Sequence, residues 1–107
     1  MAFYLLQAAY SGTAAAHMVQ HPQHREAALR KACEALGGKM HHFFYSFGNY
    51  DAMVIAELPS NKAAAALALS AEASGAVRQV HTTVLLTVTE AMDAMKSAQT
   101  DGYTPPS

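Results

Sequence analysis

Tryptophan is absent from the chain and cysteine occurs once. A lone Cys33 forms no internal disulfide, and it excludes a cysteine-based zinc framework. Charge is also scarce: 14% of the 107 residues are charged, and the net charge is −1. So balanced a chain carries no electrostatic footprint for nucleic acid. The nearest approach to a basic run, Arg25 to Lys31, is diluted by Glu26 and followed by Glu34. It reads as the wet face of a helix. No apolar run reaches membrane-spanning length. The apolar start MAFYLLQAAYSG lacks a preceding positive region, which suits a strand better than a signal peptide. A phosphate-binding glycine loop, a Ser-His-Asp pattern and a metalloprotease motif are all missing. These absences lead us to expect a soluble, cytoplasmic protein with no nucleic-acid or membrane partner.

Hydrophobic residues are plentiful at 51%. One domain of this length can build a core without disulfides or a structural metal. Phe3 to Tyr10 reads as a first strand, broken by Ser11-Gly12-Thr13. Thr13 is expected to cap a short helical piece through Gln20, and Pro22 to open a longer helix. In that helix Leu29, Ala32, Cys33 and Leu36 share one face. Gly37-Gly38 supplies the left-handed stop. Lys39–Phe47 and Ala52–Leu58 read as the second and third strands, with Pro59 ending the latter. Ser60 is a suitable N-cap for the alanine-rich helix that follows, and Gly75 closes it. Val77–Val88 is a fourth strand, after which Thr89 is expected to cap a last helix carrying Met92 and Met95. Residues 1–98 form the predicted domain and 99–107 a tail.

The order β-α-β-β-α-β plus a terminal helix predicts an α+β, ferredoxin-like fold with a four-stranded antiparallel sheet. Both helices then cover one face. The other face would expose large apolar side chains unless a partner covers it. Two-fold pairing with a second copy, sheet to sheet, is the simplest cover, so a homodimer or a larger even-numbered oligomer is expected.

Gly48-Asn49 fits a two-residue hairpin turn, with glycine where positive φ is needed. The resulting register sets Phe47 opposite Tyr50, Ser46 opposite Asp51, Phe44 opposite Met53 and His42 opposite Ile55. Asp51 is placed to accept backbone hydrogen bonds at the turn, and Tyr50 to pack across the strands.

This Gly48-x-Tyr50-Asp51 corner, together with the LGGK helix end and the Glu57-x-Pro59 strand end, resembles the GYD domain family. The resemblance runs from FYLLQAAYS through HPQHREAALRKACEALGGK and FFYSFGNYDAMVIAELPSNKAAAALALSAEASGAV to HTTVLLT. The chain departs from the pattern at His21, where the family carries Asn. The resemblance implies a dimeric α+β barrel and a structural part for Gly48, Tyr50 and Asp51. It implies little about activity. Similar barrels serve as small-ligand sensors, cofactor-free monooxygenases, isomerases and haem enzymes.

Two-residue periodicity then sorts the strands. Met40, His42, Phe44, Met53, Ile55 and Glu57 fall on one side, assigned to the dimer cavity with Gln7 and His81. Phe43, Tyr45, Ala52, Val54 and Ala56 fall on the helix side. The candidate ligand pocket therefore consists of Gln7, His42, Phe44, Met53, Ile55, Glu57 and His81. Its walls are apolar, and a few oriented polar groups would fix a small apolar or aromatic ligand. A histidine beside Glu57 could act as a general base. Candidate metal ligands are His17 and His21, four apart on a helix, with His24 following. No Asp or Cys completes that set, and no cofactor is expected. His41 and His42, adjacent on a strand, are expected on opposite faces. Cys33 is read as a small buried hydrophobe. The leading functional expectation is a homodimeric small-molecule binding module. The alternatives are a cofactor-independent enzyme of the monooxygenase or isomerase type, and an oligomeric scaffold without ligand.

Overall fold

A computed structural model describes residues 1–22 and 25–106. The chain runs β1 (Ala2–Tyr10), α1 (Gly12–Gln20), α2 (Glu26–Ala35), β2 (Lys39–Tyr45), β3 (Ala52–Leu58), α3 (Asn61–Ala73), β4 (Val77–Leu85) and α4 (Val88–Ala98). The four strands form one antiparallel sheet in the order β2-β3-β1-β4. This is the expected ferredoxin-like α+β arrangement with an added C-terminal helix.

The element ends follow local chemistry. Ser11, rather than Thr13, caps α1, accepting from the Ala14 N–H at 3.1 Å. The second helix does not open at Pro22; α2 begins at Glu26. Its end is a Schellman stop. Gly37 has φ +83°, its N–H donates to the Glu34 carbonyl, and the Gly38 N–H donates to the Cys33 carbonyl. Ser60 caps α3 through the Ala63 N–H at 3.2 Å. The fourth strand ends at Leu85, and α4 is capped two residues earlier than Thr89, by Thr87. Glu90 explains the choice: its carboxylate accepts from the Thr87 N–H while the Thr87 hydroxyl accepts from the Glu90 N–H, a capping box.

One face of the sheet carries the core. Tyr4, Leu6, Met40, Val54, Ala56 and Leu58 pack with Cys33 of α2 and Ala64 and Leu67 of α3. Each large side chain so buried contributes about 1.5–3 kcal/mol. Tyr4 is buried yet satisfied, its hydroxyl donating to Asn61 Oδ1 at 2.6 Å, which ties the start of α3 to β1. Cys33 is fully buried, as its spacing predicts, and burial pushes its thiol pKa up. Neither α1 nor α4 contains a buried residue. On α4, Val88, Met92 and Met95 are 77%, 51% and 65% exposed at helical spacing, an apolar stripe with no cover in this chain. The radius of gyration, 17.0 Å, exceeds the roughly 13 Å of a compact domain this long.

Candidate functional site

Register shows which side chains share the uncovered face, because residues directly opposite on neighbouring strands point the same way. Phe44, Met53, Gln7 and His81 form one row across the four strands. His42, Ile55, Leu5 and Thr83 form the next, and Glu57, Phe3 and Leu85 lie in the row beyond. All seven candidate pocket residues thus occupy one side of the sheet.

A β-bulge changes the rest of that picture. Between Met40 and His42 the β2–β3 register shifts by one residue, with His41 as the extra one. Met40, expected on the open side, therefore pairs with Ala56 and enters the core at 1% exposure. His41 and His42 do not point to opposite faces. His42 stacks on Phe44 with ring centroids 6.3 Å apart. His41 lies 5.5 Å from the Phe3 ring, and its Nε2 meets Glu57 Oε1 at 3.0 Å. The Met40 carbonyl beside the bulge accepts from Arg30 Nη1 at 3.1 Å. An imidazole Nε2–H given to Glu57 leaves Nδ1 as an acceptor, the tautomer a general base needs. The histidine that meets Glu57 is thus His41, not His42. Nor does His81 approach it. His81 sits level with Gln7, four residues or about 13 Å along β1 from Glu57's partner Phe3. Its neighbour is Tyr50, at 6.1 Å between ring centroids.

The hairpin corner is wider than a two-residue turn. The Ser46 N–H donates to the Asp51 carbonyl, which closes the ladder and leaves Phe47–Tyr50 as the connection. Ser46 Oγ donates to the Tyr50 carbonyl, and Gly48 has φ +135°. The Asp51 carboxylate does not serve the turn. It accepts from the backbone N–H of Tyr10 at 2.8 Å, while the Asp51 N–H donates to the Ala8 carbonyl. It fastens the corner to the end of β1, where the β1–β4 register also shifts.

A cavity lies on the opposite side of the sheet from the seven candidates. It is a cleft of about 520 Å³ between the sheet and α1, α2 and α3. Leu6, Val54, Leu67 and Val80 supply much of its apolar surface, with alanines from both layers between them. Tyr10, His17 and Arg25 contribute polar groups. The Arg25 N–H donates to the Tyr45 hydroxyl at 3.3 Å, which joins the start of α2 to the end of β2. Burial pushes the Tyr10 phenol pKa up, with Tyr45 adding to the effect and Arg25 opposing it. This cleft is not evident from strand periodicity. Its signal is the alanine content: small side chains facing one another either bring backbones together or leave space. Ala56 and Ala64 do the former; Ala8, Ala52, Ala68 and Ala71 line the space.

Of the metal candidates, His17 and His21 stand with ring centroids 5.0 Å apart, and His24 lies outside the described residues. Among the described residues no three His, Cys, Asp or Glu side chains gather as a metal-binding group. No helix among them is long and apolar enough to cross a membrane.

The GYD domain family model matches residues 4–95, which takes in most of β1, all of β2, β3 and β4, the corner and most of α4. The chain belongs to the GYD domain family. No curated protein matches it. Within this GYD domain, then, the motif's aspartate holds two distant strands together, and the tyrosine stands beside His81 on the open face.

Proposed function

We propose that this GYD-domain protein is a homodimeric binding module for a small apolar or aromatic molecule. The cleft of about 520 Å³ carries the reading. Its size falls within the roughly 300–1,000 Å³ of small-ligand pockets, and its lining is apolar with a few polar groups, as such pockets require. The helix-side cleft, rather than the space between paired sheets, is the primary ligand site in this proposal. The sheet's open face is then left for pairing. Phe44 is 57% exposed there, and Phe3, Leu5, Met53 and Ile55 are half-buried. A second copy would cover this patch, and the α4 stripe would add to the interface. In such a dimer Gln7, His42, Phe44, Met53, Ile55, Glu57 and His81 would face the partner.

Native mass spectrometry on protein prepared without a histidine tag or metal resin tests both parts. An even-numbered assembly carrying a reproducible extra mass supports them. A bare monomer removes the sheet-to-sheet dimer. Loss of the extra mass in Ala71→Phe, with the assembly intact, assigns the ligand to the cleft.

The His41–Glu57 contact at 3.0 Å favours a second reading, cofactor-independent proton abstraction on the open face. A carboxylate-oriented imidazole is a competent general base. 5-Nitrobenzisoxazole, which ring-opens when a base removes its carbon-bound proton, is a direct probe. The reading requires turnover that is lost in both His41→Gln and Glu57→Gln. Turnover no faster than buffer ends it.

A further inference from the structure

We propose that His17 and His21 form a chelating site for an exchangeable divalent transition metal of the Cu²⁺, Ni²⁺ or Zn²⁺ class. This site stands or falls without the ligand reading of the cleft. The two residues lie one turn apart at the end of α1, and the backbone holds them so. The His21 N–H donates to the His17 carbonyl at 2.8 Å, which makes His21 the C-cap of the helix. Pro22 follows and restricts the backbone of His21, whose ψ of 77° lies outside the helical range. Side chains four apart on such a turn sit one above the other. Their rings accordingly stand with centroids 5.0 Å apart and planes at 43°.

That separation fits a shared ion. An ion in the plane of both rings, with nitrogen–metal bonds of about 2.0–2.1 Å and about 1.1 Å from ring centre to nitrogen, would see the two rings at about 105°, close to the tetrahedral angle of about 109°. Both rings are free to take part. Each is exposed, and among the described residues neither is given to a hydrogen bond or an ion pair; the contact each makes is with the other ring. Unheld rings can turn a nitrogen toward a metal, which a neutral imidazole binds through its lone pair. The other described histidines differ. His41 spends Nε2 on Glu57, His42 stacks on Phe44 and His81 neighbours Tyr50. The pair also sits at a helix C-terminus, whose partial negative charge favours a cation. No third His, Cys, Asp or Glu joins the two among the described residues. The remaining coordination positions are left to water, so the ion is exchangeable and not a structural metal. His17 also lines the cleft, which sets the ion at the cleft's margin.

The test is a calorimetric titration of Cu²⁺ alone, in a buffer that does not bind copper. The full chain is prepared without a histidine tag or metal resin and stripped with EDTA. Cu²⁺ should bind at one ion per chain, more tightly than Ni²⁺ or Zn²⁺, following the usual order of divalent affinities. Its electron paramagnetic resonance spectrum should carry splitting from two imidazole nitrogens. His17→Gln and His21→Gln should each weaken Cu²⁺ by at least about tenfold, because losing one arm of a chelate also loses its effective concentration. Each variant should keep the splitting of one nitrogen. Both side chains are exposed, so the metal-free melts of the variants should match the parent's, which makes the loss one of ligands and not of fold. No Cu²⁺ binding, binding untouched by either substitution, or a loss in only one of the two variants overturns the chelate.

Discussion

Alanine at Gly38 would meet main chain. Gly38 leaves the α2 stop and leads directly into β2. A Cβ there would strike the Glu57 carbonyl oxygen, lie 2.5 Å from Leu58 Cδ2 and 3.3 Å from Leu58 Cα. The leucine methyl can rotate away, but the carbonyl cannot. Glu57 is paired on one side with Lys39 and on the other with Phe3. Relief requires prising the start of β2 from β3, beside the bulge that presents His41. Overpacking a tight site costs roughly 1–3 kcal/mol, and an immovable obstacle places this case near 3. Its neighbour Gly37 is needed for a different reason. Its φ of +83° strains any L side chain, but an added methyl would meet only Pro59 Cγ at 3.4 Å. That strain is about 1–2 kcal/mol. For a domain of this size each kcal/mol lowers Tm by about 4 °C. Gly38→Ala should therefore lower Tm by about 12 °C and Gly37→Ala by about 6 °C. Circular dichroism melts at one fixed protein concentration make the comparison, because assembly would make Tm depend on concentration. A Gly38→Ala melt within 2 °C of the parent, or a larger loss in Gly37→Ala, would refute the close-approach argument.

Asp51→Ala removes a charge-assisted acceptor from the Tyr10 amide and should cost about 1.5 kcal/mol, seen as a lower urea midpoint; an unchanged midpoint would mean the corner is no tether. Ile55→Arg puts a cation in the middle of the open face and should yield monomers in sedimentation velocity, so a persistent even-numbered assembly would send the interface elsewhere. Glu90 is held below its usual 4.5, first by the Thr87 backbone N–H and then by the Thr87 side chain. A depressed folded-state value gives stability that is complete above 4.5 and is lost as pH falls through the lowered value, so the first turn of α4 should fray in that acid window. Amide exchange at Glu90 followed against pH reads it, and Glu90→Gln should show no such acid step.

Much of the fold was legible because its boundaries are chemical. Gly37, Pro59, Ser60 and Gly75 each act where their backbone or capping preferences say they should. The helix starts were less so, because competing caps lie side by side. Ser11 and Thr13 are each followed by alanine three residues on, so nothing there separates them, whereas Thr87 and Thr89 are followed by Glu90 and Met92, and Glu90 decides that pair. Strand parity was correct for β1 and β3, and for β2 beyond the bulge. It failed at Met40 and His41, because a single inserted residue reverses alternation and no residue type demands it there. The candidate face was therefore readable, whereas the His41–Glu57 contact was not. The cleft was hidden for another reason: whether alanines close a gap or leave one depends on how far the helices stand from the sheet, a tertiary quantity.

The strand order also sets a timetable for synthesis. β1, at the centre of the sheet, emerges first, yet its partners are β3 and β4. Only β2 and β3 meet their neighbour through a short connection; the Asp51 carboxylate reaches an amide 41 positions earlier. A nascent chain can thus close the β2–β3 hairpin early, but its middle strand must wait for Leu58 before one edge can pair and for Leu85 before the other can. Through that interval the apolar run from Phe3 to Leu6 is a strand edge open to any other chain.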